Sequence, residues 1–187
     1  MRPRIRVGAV LLFSASSMSA SLGQTSGKET DAILAADAAW LHPASKELLE
    51  SKIPARLAYV WTDGTPRVVP IWFHWNEREF VLGTPPKAPK LKALAKNPKV
   101  ALTIDDNNFP HKVLLVRGTA RLQPVNGIVP EYALAAERYF GSEQGKAWVS
   151  QLASMIQDMV RITITPEWVG LLTFRHGSPA PCPCKQL

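Results

Sequence analysis

Arg67-Val-Val-Pro-Ile-Trp-Phe73 leads, after a polar break, into Phe80-Val-Leu-Gly83; Thr84 closes that second segment, and Lys90 follows six residues later. The first segment alternates as a strand does, with Arg67, Val69, Ile71 and Phe73 on one face and Val68, Pro70, Trp72 and His74 on the other. Upstream, Arg56-Leu-Ala-Tyr-Val-Trp61 is rich in strand formers, and Asp63-Gly64 marks a turn. The pattern predicts a hairpin whose return strand spans Arg67 to Trp75. After the turn Asn76-Glu-Arg-Glu79, a third strand, Phe80 to Gly83, is expected to pair back onto it. A basic helix is predicted from Lys87 to Lys96, entered through Pro85 and Pro86 and ended by Asn97-Pro98. An Arg leading an apolar face needs an anion or an exposed edge, because burying it unpaired is expensive. Taken with the Thr84 hydroxyl and the Lys90 ammonium, Arg67 makes up a set of groups suited to a dianionic phosphate, at strand ends and a helix start where backbone N–H groups can join.

Outward from this stretch, Lys99 to Ile104 reads as a strand and Asp105 to Asn108 as a loop. His111 to Gln123 reads as a long strand in which Gly118 marks a bend or bulge. Pro130 to Phe140 and Ser142 to Asp158 carry helical periodicity. Arg161 to Thr165 and Val169 to Phe174 form a last strand interrupted at Pro166. On the N-terminal side, Glu29 to Leu41 is a peripheral helix, and Ser45 caps another that runs to about Lys52. The sum is a mainly β chain with flanking helices: a six-stranded antiparallel barrel, closed or split, of the kind that leaves a cofactor groove where two protomers meet.

The chain of 187 residues is 46% hydrophobic and 20% charged, which suits one globular domain. No apolar run approaches the roughly 20 residues of a membrane span. Of the net charge of +7, Arg2, Arg4 and Arg6 supply three, and residues 1–24 hold no acid, leaving +4 for the body. Lys87, Lys90, Lys92, Lys96 and Lys99 cluster, which favours a small anionic ligand over a long nucleic acid. Lys92, Lys96 and Lys99 also read as a solvated helix face. His42, His74, His111 and His176 are scattered, so no metal is expected. Cys182 and Cys184 fall in a proline-rich segment, 177–187, read as a disordered tail. Residues 1–27 have the outline of a secretory signal or of a start upstream of a true Met18. The first reading places the protein outside the cell and the second in the cytoplasm, which is favoured. Residues 28–43 form the peripheral helix and 44–176 the main domain.

In this order the elements resemble the flavin-phosphate site of the pyridoxamine 5'-phosphate-oxidase-like, FMN-binding split-barrel flavoproteins, over roughly Ala44 to Phe174. The thirteen-residue step from Thr84 to Asn97, followed by Pro98 and an apolar strand, is part of the likeness. The resemblance implies that Arg67 and Lys90 grip the FMN phosphate with help from Thr84. It implies too that Val68, Val69, Pro70, Ile71 and Trp72 lie along the ring, in a homodimer with the cofactor at the interface. Where the family carries Ser-Arg before the Lys, this chain has Ala88 and Pro89, and Lys87 is expected to compensate. Trp72 stands where the vitamin B6 oxidases have a substrate lysine, and Arg175-His176 replaces their Arg-x-His pair. Oxidation of vitamin B6 is therefore not expected. The resemblance implies an FMN-dependent oxidoreductase acting on a small molecule, with no nucleic-acid or membrane partner. The alternatives are a deazaflavin-dependent reductase, whose longer acidic coenzyme the lysines would also serve, or a non-catalytic flavin-binding protein.

Overall fold

The structure, a computed structural model, describes residues 36–174, with side chains from Ala39 onward. Residues 1–27, most of the peripheral helix, Arg175-His176, Cys182 and Cys184 lie outside the described residues. The element order is α1 (Ala36–Leu41), α2 (Pro43–Glu50), β1 (Ala55–Val60), β2 (Pro66–Ile71), β3 (His74–Trp75), β4 (Phe80–Thr84), α3 (Lys90–Lys96), β5 (Lys99–Asp105), β6 (Lys112–Asn126), α4 (Pro130–Phe140), α5 (Ser142–Met155) and β7 (Asp158–Thr173). All seven strands join one antiparallel sheet in the order β2-β1-β5-β6-β7-β4-β3.

That order explains the split barrel. The two edges of the sheet, β2 and β3, are consecutive in sequence, and only Trp72 and Phe73 lie between them. A link that short spans at most about 10 Å, so the sheet must curl until its edges almost meet. They do not pair, and Phe73, fully buried, sits in the chain link that crosses the gap. Leu57, Leu82, Leu102, Ile104, Leu114, Ile162 and Ile164 alternate inward along the strands and fill the interior.

Three expectations are corrected. There are seven strands rather than six, because the predicted return strand breaks at Trp72 and Phe73. Its first part, β2, is an edge strand paired only with β1, where Pro70 costs no ladder bond. β4 therefore pairs with β3 and β7, not with residues 67–71. The last strand is continuous through Pro166. Arg117 faces Trp168 and Gly118 faces Pro166, so Glu167 is the extra residue of a bulge. Gly118 is required there, since a Cβ would stand 2.4 Å from the carbonyl oxygen of Thr165.

Smaller boundary shifts follow from local chemistry. His42, not Ser45, caps α2: its Nδ1 accepts from the N–H of Ala44 at 3.1 Å. The basic helix begins at Lys90 rather than Lys87, because Pro85, Pro86 and Pro89 hold the preceding residues in turns. The second of the late helices stops at Met155, and Asp158 already belongs to β7. Among the described residues no helix is long and apolar enough to cross a membrane.

Candidate functional site

The β1–β2 hairpin and α3 form one unit. The Lys96 ammonium donates to the Thr62 carbonyl at 3.0 Å, and a cavity of about 360 Å³ between them is lined by Trp61, Gly64, Ala93 and Lys96 among others. Arg67 pairs with Tyr59 in the β1–β2 register and is exposed. Its guanidinium carbon lies 3.8 Å from the centre of the Trp61 ring, and it makes no ion pair among the described residues. The nearby Asp63 carboxylate is engaged by Thr65, accepting from its N–H at 2.9 Å and its hydroxyl at 2.6 Å. Those bonds, the hydroxyl first and with a smaller contribution from Arg67, hold the Asp63 pKa below its usual value.

Lys90 is half-buried at the start of α3 and pairs with no carboxylate among the described residues. Burial pushes its pKa below the ordinary lysine value. Thr84, at the end of β4, is 3% exposed, and its hydroxyl has no hydrogen-bond partner among the described residues. The connection between them offers few backbone donors. Pro85, Pro86 and Pro89 have none, and the N–H groups of Ala88 and Leu91 already bond to Pro85 and Ala88. An anion here must be held mainly by side chains. Lys87 and Lys92 are exposed, whereas Lys99 is engaged by Glu167 at 2.9 Å.

The strand expected to lie along a ring divides by face. Val68, 61% exposed, and Pro70 point outward, while Val69 and Ile71 pack on the core. Trp72 leaves the strand and stacks on α4: its ring is 4.9 Å from Tyr139 at 13° and 5.6 Å from Tyr132 at 29°. Tyr132 in turn lies against Gly83, where a Cβ would come within 2.9 Å of it, so Trp72 joins the neighbourhood of Thr84 through α4.

Sequence reasoning missed Arg138 of α4. One guanidinium nitrogen donates to the Leu49 carbonyl at 2.9 Å, another to the Phe73 carbonyl, and the group lies 4.3 Å from the Phe73 ring centre. It ties α2, the β2–β3 link and α4 together. No signal nearby in the sequence marks this role, because the carbonyl partners are 89 and 65 residues away. His74 is half-buried beside it. Burial, then the Arg138 charge, lowers its pKa below 6.5, with Glu131 opposing. His74, Trp75, Arg138 and Leu134 line a broad groove of about 1480 Å³ with Trp40, whose indole stacks on Trp75 at 4.6 Å. None of the residues that the sequence singled out for phosphate lines this groove. Two of the Arg138 nitrogens are committed to carbonyls, and Lys46 and Arg78 share the groove with Glu50, Glu77 and Glu79, so the larger cavity is the weaker candidate for an anionic headgroup. Among the described residues no group of His, Cys, Asp and Glu is placed to hold a metal.

A family model described as pyridoxamine 5'-phosphate oxidase matches residues 41–173, well over half of the chain. The chain belongs to this family. Solved structures agree with the fold seen here. An F420 reductase shares 27% identity with a TM-score of 0.51, covering 66% of this chain and 94% of that one. A conserved hypothetical protein from Mycobacterium tuberculosis shares 21% at a TM-score of 0.54, covering 73% and 89%. HutZ, the heme storage protein from Vibrio cholerae, shares 22% at 0.53, covering 71% and 94%. The last two, at that identity, speak to the fold alone. Among curated proteins nothing matches the chain. Membership of the pyridoxamine 5'-phosphate oxidase family makes a flavin-type cofactor the natural test for the unpaired cations of the hairpin and α3.

Proposed function

We propose that this protein is an FMN-dependent oxidoreductase in which Arg67 and Lys90 hold the phosphate. Thr84 assists, and Lys87 supplements them. One observation carries the reading: two cations and a hydroxyl, placed by the hairpin, by α3 and by the strand leading to it, lack any carboxylate or hydrogen-bond partner among the described residues. An ammonium half removed from water without a counter-ion is costly, and an arriving dianion relieves that cost. The Arg67 fork fits a phosphate bidentately, and the ammonium adds a point charge. Bound flavin supplies the redox chemistry, and the protein contributes orientation and electrostatics. Val68 to Trp72 provide the run of backbone along which the ring would lie. The exposed Val68 and Pro70 on an unpaired edge give a second protomer a surface to cover.

The test is titration of purified protein with FMN, followed by quenching of flavin fluorescence, with subunit number measured alongside. Saturation at one FMN per protomer in a dimer is expected. A protein that retains no flavin and takes up none refutes the proposal. The similarity to an F420 reductase, together with the exposed Lys87 and Lys92, favours a second reading in which the cofactor is the longer acidic deazaflavin. Titration with that coenzyme decides between them.

A further inference from the structure

We infer that Trp61 is the positioning residue that makes Arg67 an anion grip, and through it makes the site select a phosphate-bearing flavin over the same ring without phosphate. The inference rests on the FMN reading and adds a residue that the reading does not contain. Arg67 is an exposed side chain on an edge strand, and such an arginine loses rotamer freedom when it is fixed. Here the guanidinium is set over the Trp61 indole, with its carbon 3.8 Å from the ring centre. Stacking uses the flat face of the guanidinium and leaves the in-plane N–H donors free for an oxyanion.

The indole is itself held in place. Its backbone is fixed by the turn, the Trp61 main-chain N–H donating to the Thr65 carbonyl at 2.7 Å and the Trp61 carbonyl accepting from the Gly64 main-chain N–H at 3.0 Å. Tyr59, buried in the core, meets the ring edge-on at 6.5 Å. Trp61 also lines the cavity shared with Ala93 and Lys96 of α3. Trp61 therefore lies between the arginine of the hairpin and a cavity whose far wall is the last turn of α3. The nearby Asp63 carboxylate, which Arg67 helps to hold ionised, accepts from the Thr65 N–H and hydroxyl rather than from the guanidinium.

The experiment compares FMN with riboflavin on wild-type protein, Trp61→Leu, Trp61→Phe, Arg67→Ala and the double variant Trp61→Leu/Arg67→Ala, with thermal unfolding measured for each. Leu keeps apolar bulk in the hairpin but has no π face. Trp61→Leu is expected to weaken FMN binding roughly 3- to 20-fold, the range of a cation–π contact between exposed and desolvated limits. Riboflavin affinity is expected to stay within about twofold. Trp61→Phe should recover most of the loss, because it restores an aromatic face. In the Arg67→Ala background, Trp61→Leu should add nothing, the signature of two residues acting as one. Equal losses for FMN and riboflavin, or additive losses in the double variant, would overturn the inference, as would an unchanged FMN affinity in Trp61→Leu. If Arg67→Ala weakens FMN while Trp61→Leu does not, only this inference falls. If wild-type protein binds FMN no better than riboflavin, the FMN-phosphate reading falls with it.

Discussion

Arg67 and Arg138 act at opposite ends of the same short stretch of chain and are used in opposite ways. Arg67 stands at the start of β2, exposed, stacked on Trp61 and without an ion pair among the described residues. Arg138 reaches the other end, at Phe73, with donors committed to the Leu49 and Phe73 carbonyls and its Nε buried without a partner. The first is a group the fold leaves available; the second is a group the fold consumes. The same residue type is therefore a ligand candidate in one place and a structural clamp in the other. What separates them is whether the donors are occupied, not charge or distance from a cavity.

The largest effect expected from this contrast is on stability. Arg138→Leu strands two carbonyls that the guanidinium now satisfies and should cost about 3 kcal/mol in urea unfolding. A loss below about 1 kcal/mol would show that the clamp is dispensable. Arg67→Leu should do the reverse. Its unfolding free energy should stay within about 0.5 kcal/mol of wild type, while FMN affinity falls by about 2 kcal/mol, the worth of a charge-assisted hydrogen bond. A fall in stability without a fall in affinity would reverse the assignment of the two arginines.

Lys90 sharpens the contrast through pH. Burial lowers its pKa, so its proton is lost at a lower pH than for an ordinary lysine, and a bound phosphate favours the protonated form. FMN affinity should therefore weaken as the pH rises above neutrality through that lowered value. The slope should flatten in Lys90→Arg, whose charge persists throughout the range. Wild-type affinity that is flat or rising with pH would argue against Lys90 as a ligand.

The smallest effect concerns His74, next to the clamp. Its folded pKa lies below 6.5, through burial first and Arg138 second. As the pH falls below 6.5, the unfolded chain takes up a proton that the folded chain refuses until its lower pKa is reached. Stability should decline across that window and level off beneath it. His74→Gln should remove this part of the acid dependence, as denaturant unfolding at a series of pH values will show.

Much of the fold was legible in the sequence because its signals are local. Pro130 to Phe140 was bounded correctly by a proline that opens the helix and a glycine that follows it, and Gly118 announced the bulge. The break after Ile71 was not legible. Its causes are Tyr139 and Tyr132, which draw Trp72 away, and Arg138, which holds the Phe73 carbonyl, all about sixty residues downstream or more. Pro166 misled for the opposite reason: it marks a bulge inside a continuous strand, accommodated because Gly118 faces it. For the candidate site, residue types and order pointed to Arg67, Thr84 and Lys90. The sequence could not show that Trp61 lies under Arg67, or that the proline-rich connection leaves so few amide donors.

The central claim is that Arg67 and Lys90 share one phosphate. A crystal structure of the protein soaked with FMN tests it most directly. The account predicts the phosphate within hydrogen-bonding distance of both the Arg67 guanidinium and the Lys90 ammonium, with the Thr84 hydroxyl beside it. A phosphate bound elsewhere, or one that touches only one of the two cations, would contradict it.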